Sequence, residues 1–155
     1  MTPARLVSEL AAAIKKACAQ VRLPLESEEA VAVEVFTQYL PEDLFETTRY
    51  LPFALVELLS IKDDFKEGSR AEVGLTLGIY APDADAWLDG FHLMEVIRQE
   101  VLTWRVVARR FRLLGIQWEL PETQPRPFFY CTGILTFDIF QAEEMIKWHT
   151  LTGYV

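Results

Sequence analysis

The run Glu72-Val73-Gly74-Leu75-Thr76-Leu77-Gly78-Ile79 alternates without a break, with Val73, Leu75, Leu77 and Ile79 on one side of an extended chain and Glu72, Gly74, Thr76 and Gly78 on the other. A period of two belongs to a β-strand, because successive side chains leave opposite faces. One strand is not stable alone, so the sequence must supply strand partners and a layer to cover the apolar side.

The partners are legible on both sides of this run. Leu51 to Leu59 is almost continuously apolar apart from Pro52 and Glu57, which predicts a central strand covered on both faces. Lys62 to Ser69 reads as a charged loop joining the two runs in a hairpin. Val31, Val33 and Val35 alternate with Ala32, Glu34 and Phe36 as a first strand, and Tyr39 to Tyr50 reads as a long connection. Arg109 to Glu119 alternates again, with Gly115 as a bulge or bend, and a proline-rich link from Pro121 to Pro127 leads to a last strand over Phe128 to Phe140. These last two strands are expected to pair antiparallel.

The covering layer comes from two segments of helical period. Thr2 to Val21 sets Leu6, Leu10, Ile14, Ala17 and Val21 on one stripe. Asp83 is a candidate N-cap for a second helix running to about Trp104, with Trp87, Phe91, Met94, Ile97 and Val101 as its stripe and Asp85 and Asp89 near its start. The low relief at Gly74 and Gly78 is expected to receive this helix, and Gly90 suits a close approach. The predicted fold is α+β: residues 1–140 form a single domain with a mostly antiparallel sheet of about five strands. An N-terminal helix and a long central helix pack on it, and 141–155 form a C-terminal tail or extension.

Composition narrows the function. A formal net charge of −8 over 155 residues opposes general nucleic-acid binding, where lysine and arginine supply most of the affinity. Arg98, Arg105, Arg109, Arg110 and Arg112 make a local basic strip, read as a solvated or subunit-facing surface. No apolar run reaches about 18 residues and the N-terminus lacks a signal-peptide layout, so a cytoplasmic site of synthesis and residence is expected. Cys18 and Cys131 stand alone, without metal-ligand spacing, and read as buried reduced thiols.

Catalytic chemistry finds little footing. His92 falls beside the apolar stripe of the second helix and is expected to be partly buried and structural, and His149 lies in the terminal segment. The acidic pairs Asp63 and Asp64, Asp85 and Asp89, and Glu143 and Glu144 are explained by loop solvation, helix-dipole compensation and a wet helix turn. No phosphate loop, dinucleotide fingerprint or metal cluster is present, so no catalytic, cofactor or metal residue is assigned.

Certain stretches, taken in order, resemble a known family. They are Tyr50-Leu51-Pro52-Phe53-Ala54-Leu55-Val56 after an N-terminal helix, then Val73 to Tyr80-Ala81-Pro82-Asp83. Gly90-Phe91-His92-Leu93-Met94-Glu95-Val96-Ile97-Arg98 follows, and Trp118-Glu119-Leu120-Pro121 with Phe128 to Phe137 closes the series. Over about Val31 to Phe140 the pattern is similar to the tail terminator, or tail completion, proteins of long-tailed bacteriophages and phage-derived tail particles. The resemblance implies a structural virion protein and no enzymatic activity. Its partners would be further copies in a ring, a homohexamer, together with the tail-tube protein and a sheath or neck (connector) protein. DNA would pass the lumen without specific binding, no membrane is involved, and assembly takes place in the host bacterial cytoplasm. Candidate interface residues are Asp63, Asp64, Phe65 and Lys66, the arginines Arg109, Arg110 and Arg112, and the aromatics Trp148 and Tyr154. Two alternatives stand beside this reading. One is another neck, head-closure or tube-related subunit; the other is a small-molecule-binding or enzymatic domain using His92 and nearby carboxylates.

Overall fold

The computed structural model describes residues 2–24, 30–41, 52–83, 85–103, 106–107, 111–124 and 127–139. It is an α+β domain of two helices and a mixed sheet. In chain order the elements are α1 (Pro3–Ala17), β1 (Arg22–Pro24), β2 (Ala30–Ala32), β3 (Glu34–Thr37), β4 (Phe53–Asp64), β5 (Gly68–Tyr80), α2 (Trp87–Thr103), β6 (Val106–Val107), β7 (Phe111–Glu119) and β8 (Phe128–Ile139). The main sheet has the order β3-β4-β5-β8-β7-β6, and β1 with β2 forms a separate two-stranded ladder. Among the described residues only β3 runs parallel to its neighbour, and the other pairings are antiparallel. The five expected strands are β3, β4, β5, β8 and β7, with the two-residue β6 as an addition at the edge.

Both helices lie on the face formed by Ala54 and Val56 of β4, Ala71, Val73, Leu75, Leu77 and Ile79 of β5, and Phe129, Cys131, Leu135 and Phe137 of β8. α1 packs on β3 and β4, α2 packs on β5 and β8, and the helices touch each other. From α1, Leu6, Leu10 and Ile14 are fully buried. Each such side chain stabilises the fold by about 2 kcal/mol relative to exposure.

α1 starts where Pro3 occupies its first turn, a position with no intrahelical use for the missing N–H. It stops at Ala17, four residues before the predicted end at Val21. Past Ala17 the backbone tightens into turns, with the Ala19 N–H on the Lys16 carbonyl and the Val21 N–H on that of Cys18, and the Arg22 guanidinium donates to the carbonyls of Ala19 and Val21. Cys18, just past the helix, takes the next buried position.

α2 departs from expectation at its start. Asp83 accepts the Ala86 N–H through its backbone carbonyl at 3.2 Å, so it closes a preceding turn and does not cap the helix. The buried stripe is Gly90, Leu93, Ile97 and Val101, leaving Trp87 exposed and Phe91 and Met94 on its flanks. Gly90 does allow a close approach: a Cβ there would stand 2.3 Å from the Phe129 ring.

The glycines of β5 face away from the helices, contrary to the sequence reading. Strand parity decides this, since Gly74 and Gly78 alternate with the core residues Val73 to Ile79. The low relief is filled by neighbouring side chains, with Leu59 over Gly74 and the rings of Phe53 and Tyr130 over Gly78. Phe53 and Leu55 with Phe36, Leu40, Phe128 and Tyr130 form a small second cluster on that face.

Three boundaries also move. The predicted first strand divides at buried Val33 into β2, which pairs with β1, and β3, which pairs with β4. The predicted charged loop is mostly strand, because Lys62, Asp63 and Asp64 extend β4 and the connection shrinks to Phe65-Lys66-Glu67. Gly68, at φ +86°, supplies the left-handed residue that such a short connection requires. β4 is interior only over Phe53–Val56, where β3 lies beside it; the sheet centre is β5 and β8. The bulge read at Gly115 is present, between Leu113 and Gly115. The connection over residues 42–50, the arginines Arg105, Arg109 and Arg110, and the segment 140–155 lie outside the described residues.

Candidate functional site: two open sheet edges

A sheet edge exposes unpaired N–H and C=O groups, and its chemistry is the capacity to pair with another chain. On one side of the sheet, β3 covers β4 only as far as Val56. Two residues further on, the edge is closed by a side chain: the Gln38 amide donates to the Leu58 carbonyl at 3.2 Å and accepts the Leu58 N–H at 2.9 Å. Gln38 reaches this position by adopting φ +67°. Beyond it, among the described residues, Leu59 to Asp64 have no strand on the side away from β5, and Leu59 and Ile61 are 47% and 45% exposed.

The opposite side mirrors this arrangement. β6 covers only Phe111 and Arg112 of β7, and Leu113 to Glu119 face outward among the described residues. Leu114, the residue extruded by the bulge, is 43% exposed. A bulge also interrupts β4, between Leu58 and Ser60, and extrudes Leu59. Both edges therefore carry a Leu-Leu-x-Ile step, Leu58-Leu59-Ser60-Ile61 and Leu113-Leu114-Gly115-Ile116, with the bulge at the second leucine. Two consecutive leucines inside an alternating strand are the available sequence signal; the sequence reading places a bulge or bend at Gly115 from the glycine itself and none near Leu59.

The predicted interface residues divide among several places. Asp63 sits at the end of β4, where its carboxylate accepts the Ser69 hydroxyl at 2.5 Å. Asp64 accepts the backbone N–H groups of Lys66 at 2.7 Å and Glu67 at 2.9 Å, and these bonds hold its carboxyl below the usual carboxylate range. Phe65 and Lys66 form the hairpin tip, where Phe65 is 97% exposed. A shallow recess beside the tip is lined by Lys62, Asp64, Glu67, Gly68 and Arg70 and has a volume of about 30 Å³, the space of one water. Arg112 on β7 lies 3.3 Å from Asp138, and Arg98 on α2 lies 3.1 Å from Glu95. The two described arginines of the basic strip thus sit in different layers, each beside a carboxylate. Arg109, Arg110, Trp148 and Tyr154 lie outside the described residues.

His92 is exposed on α2, not half-buried beside its stripe as the sequence suggested. One turn on, Glu95 is engaged by both Arg98 and Gln99. Among the described residues, no cluster of histidine, cysteine and acidic side chains is arranged to hold a metal, and no helix is long and apolar enough to cross a membrane. No known family model matches the chain, and no curated protein matches it in sequence.

Proposed function

We propose that this chain is a structural subunit of a long-tailed phage or a phage-derived tail particle, of the tail terminator type, and that its copies close into a ring. The ring ends tail-tube assembly and offers its other side to the neck. The observation that carries this reading is that, among the described residues, both sides of the one sheet carry a partly uncovered strand edge with exposed leucine or isoleucine. A subunit that joins copies head to tail needs two different surfaces, one on each side. The element order fits as well, with an N-terminal helix, a long hairpin, a helix across the sheet and two paired C-terminal strands.

The acidic balance of the chain suits a lumen through which DNA slides without adhering. The hairpin tip with Phe65 projects beyond the covered part of the sheet and is available for contact with a tube or neck protein.

Negative-stain imaging of the purified chain, alone and with tubes of a phage tail-tube protein, tests the proposal. Rings seated at tube ends are expected. Stacks that lengthen without limit would instead make it a tube subunit, and a monomer indifferent to tubes would refute the reading.

A further inference from the structure

We infer that the outer edge of β3 in one copy pairs antiparallel with the uncovered part of β7 in the next, over Ile116 to Glu119. This inference rests on the ring reading above and names its interface.

The two sides of the sheet are stepped in opposite senses. Among the described residues, β3 adds a strand beside Phe53–Val56 and leaves the Asp64 end of β4 bare, whereas β6 adds a strand beside Phe111 and Arg112 and leaves the Glu119 end of β7 bare. Ladder partners set Phe53 level with Gly78 and Tyr130, Glu119 with Thr132, and Phe111 with Ile139, so the two steps stand at opposite ends of the sheet. A neighbour displaced sideways, with its β7 against β3, brings its β6 into the space that β3 leaves beside β4. Direction suits the contact. β3 runs with β4, and β4 runs opposite to β7 across the alternating strands, so β3 meets the neighbour's β7 antiparallel.

The backbone groups match. Glu34 and Gln38 give their N–H groups to the Pro52 and Val56 carbonyls, so Val35 and Thr37 turn theirs outward. On the other side, the Pro127 carbonyl accepts the Ala81 N–H across β5 and β8, so by alternation Thr132 and Ile134 bond toward β7. Their partners Glu119 and Gln117 therefore face β8, and Ile116 and Trp118 face outward. Opposed residues of an antiparallel hydrogen-bonded pair must also share a face. Val35 and Thr37, level with Ala54 and Val56, lie on the helix-bearing face, as do Ile116 and Trp118.

Setting Val35 opposite Trp118 and Thr37 opposite Ile116 meets both conditions, engages all four residues of β3 and gives two pairs of the kind that stabilise a sheet. The Thr37 carbonyl already accepts the Tyr39 N–H at 2.8 Å and keeps a second lone pair for the Ile116 N–H. In this register the neighbour's β6 comes level with Ser60 and Ile61, and Tyr39, 81% exposed, approaches the exposed Leu114. It also sets Glu34 opposite Glu119, like charges at the end of the pairing.

Thr37→Pro removes an outward N–H and no bond of the domain's own sheet. In the full chain it should weaken assembly at least about tenfold in sedimentation velocity while the melting temperature of the domain is kept. Glu34→Lys turns the repelling pair into an attracting one and should tighten assembly about fivefold; adding Glu119→Lys should cancel that gain, although it lowers the net charge further. Wild-type rings that Thr37→Pro leaves intact, or a gain from Glu34→Lys that persists with Glu119→Lys, would overturn the inference and leave the ring reading standing. A wild-type chain that stays monomeric would overturn both.

Discussion

Gln38 and Gln124 perform the same task at two places in the sheet. Each amide donates to a strand carbonyl and accepts the N–H of the same residue, Leu58 for Gln38 and Tyr130 for Gln124. A side-chain amide carries the same donor and acceptor as a peptide group, so it extends the ladder where the adjoining strand has ended. Gln38→Ala removes both bonds and leaves the half-buried Leu58 pair without its partner, at a cost of about 1–3 kcal/mol. Gln38→Gly should cost less than Gln38→Ala, because glycine tolerates the left-handed backbone without strain. Urea denaturation of the two variants checks the order, and equal losses would contradict it. The cysteines give a second residue-scale prediction. Burial pushes the Cys18 thiol up to about 11 and Cys131 up to about 12, whereas unfolded thiols ionise near ~8.5. A raised folded pKa means the folded state holds its protons longer. This contribution to stability is therefore complete below pH ~8.5 and is lost as pH climbs toward 11–12. Melting temperatures followed from pH 8 upward should fall less steeply in a Cys18→Ala, Cys131→Ala double variant. In native protein below that range, both thiols should resist a thiolate-directed alkylating reagent.

At the scale of elements, the glycines separate positions that packing dictates from positions that it does not. Gly90→Ala brings a methyl group into the buried Phe129 ring, and the strain of overpacking, about 1–3 kcal/mol, outweighs the gain of up to ~1 kcal/mol in helix propensity. Gly115→Ala has nothing within 4 Å and should change stability by less than about 1 kcal/mol. Thermal unfolding of the two variants distinguishes these outcomes, and similar shifts would mean that α2 does not lie as close to β8 as the structure places it. The same distinction explains what the sequence disclosed. Strong alternation in β5, in β8 and on either side of Gly115 fixed strands and faces, because one side of each strand is buried. The partner layer for Gly74 and Gly78 was misjudged, since one strand's pattern tells that two faces differ but not which of them a helix covers. The division at Val33 was hidden because the valines continue their period while the chain changes partners. The two edge windows were legible only in part: the leucine doublets are local, but strand order and the covering by Gln38 and β6 arise from long-range pairing.

For the whole molecule, charge and edges act against each other during assembly. Copies carrying a formal −8 repel one another, and salt screens that repulsion over a Debye length of about 8–10 Å near physiological ionic strength. The proposed edge contacts are hydrogen-bonded and apolar, and screening weakens them little. Moving from low to physiological salt should therefore shift the population toward assembled rings, which sedimentation velocity reads directly. Dissociation on adding salt would mean that ion pairs hold the copies together. The mass of the native particle shows most directly whether the copies close into a ring. Native mass spectrometry of the purified full chain should find a closed species of six copies, about 107 kDa from a 17.8 kDa subunit, with no ladder of larger polymers. A lone 17.8 kDa species that persists at every protein concentration would contradict it.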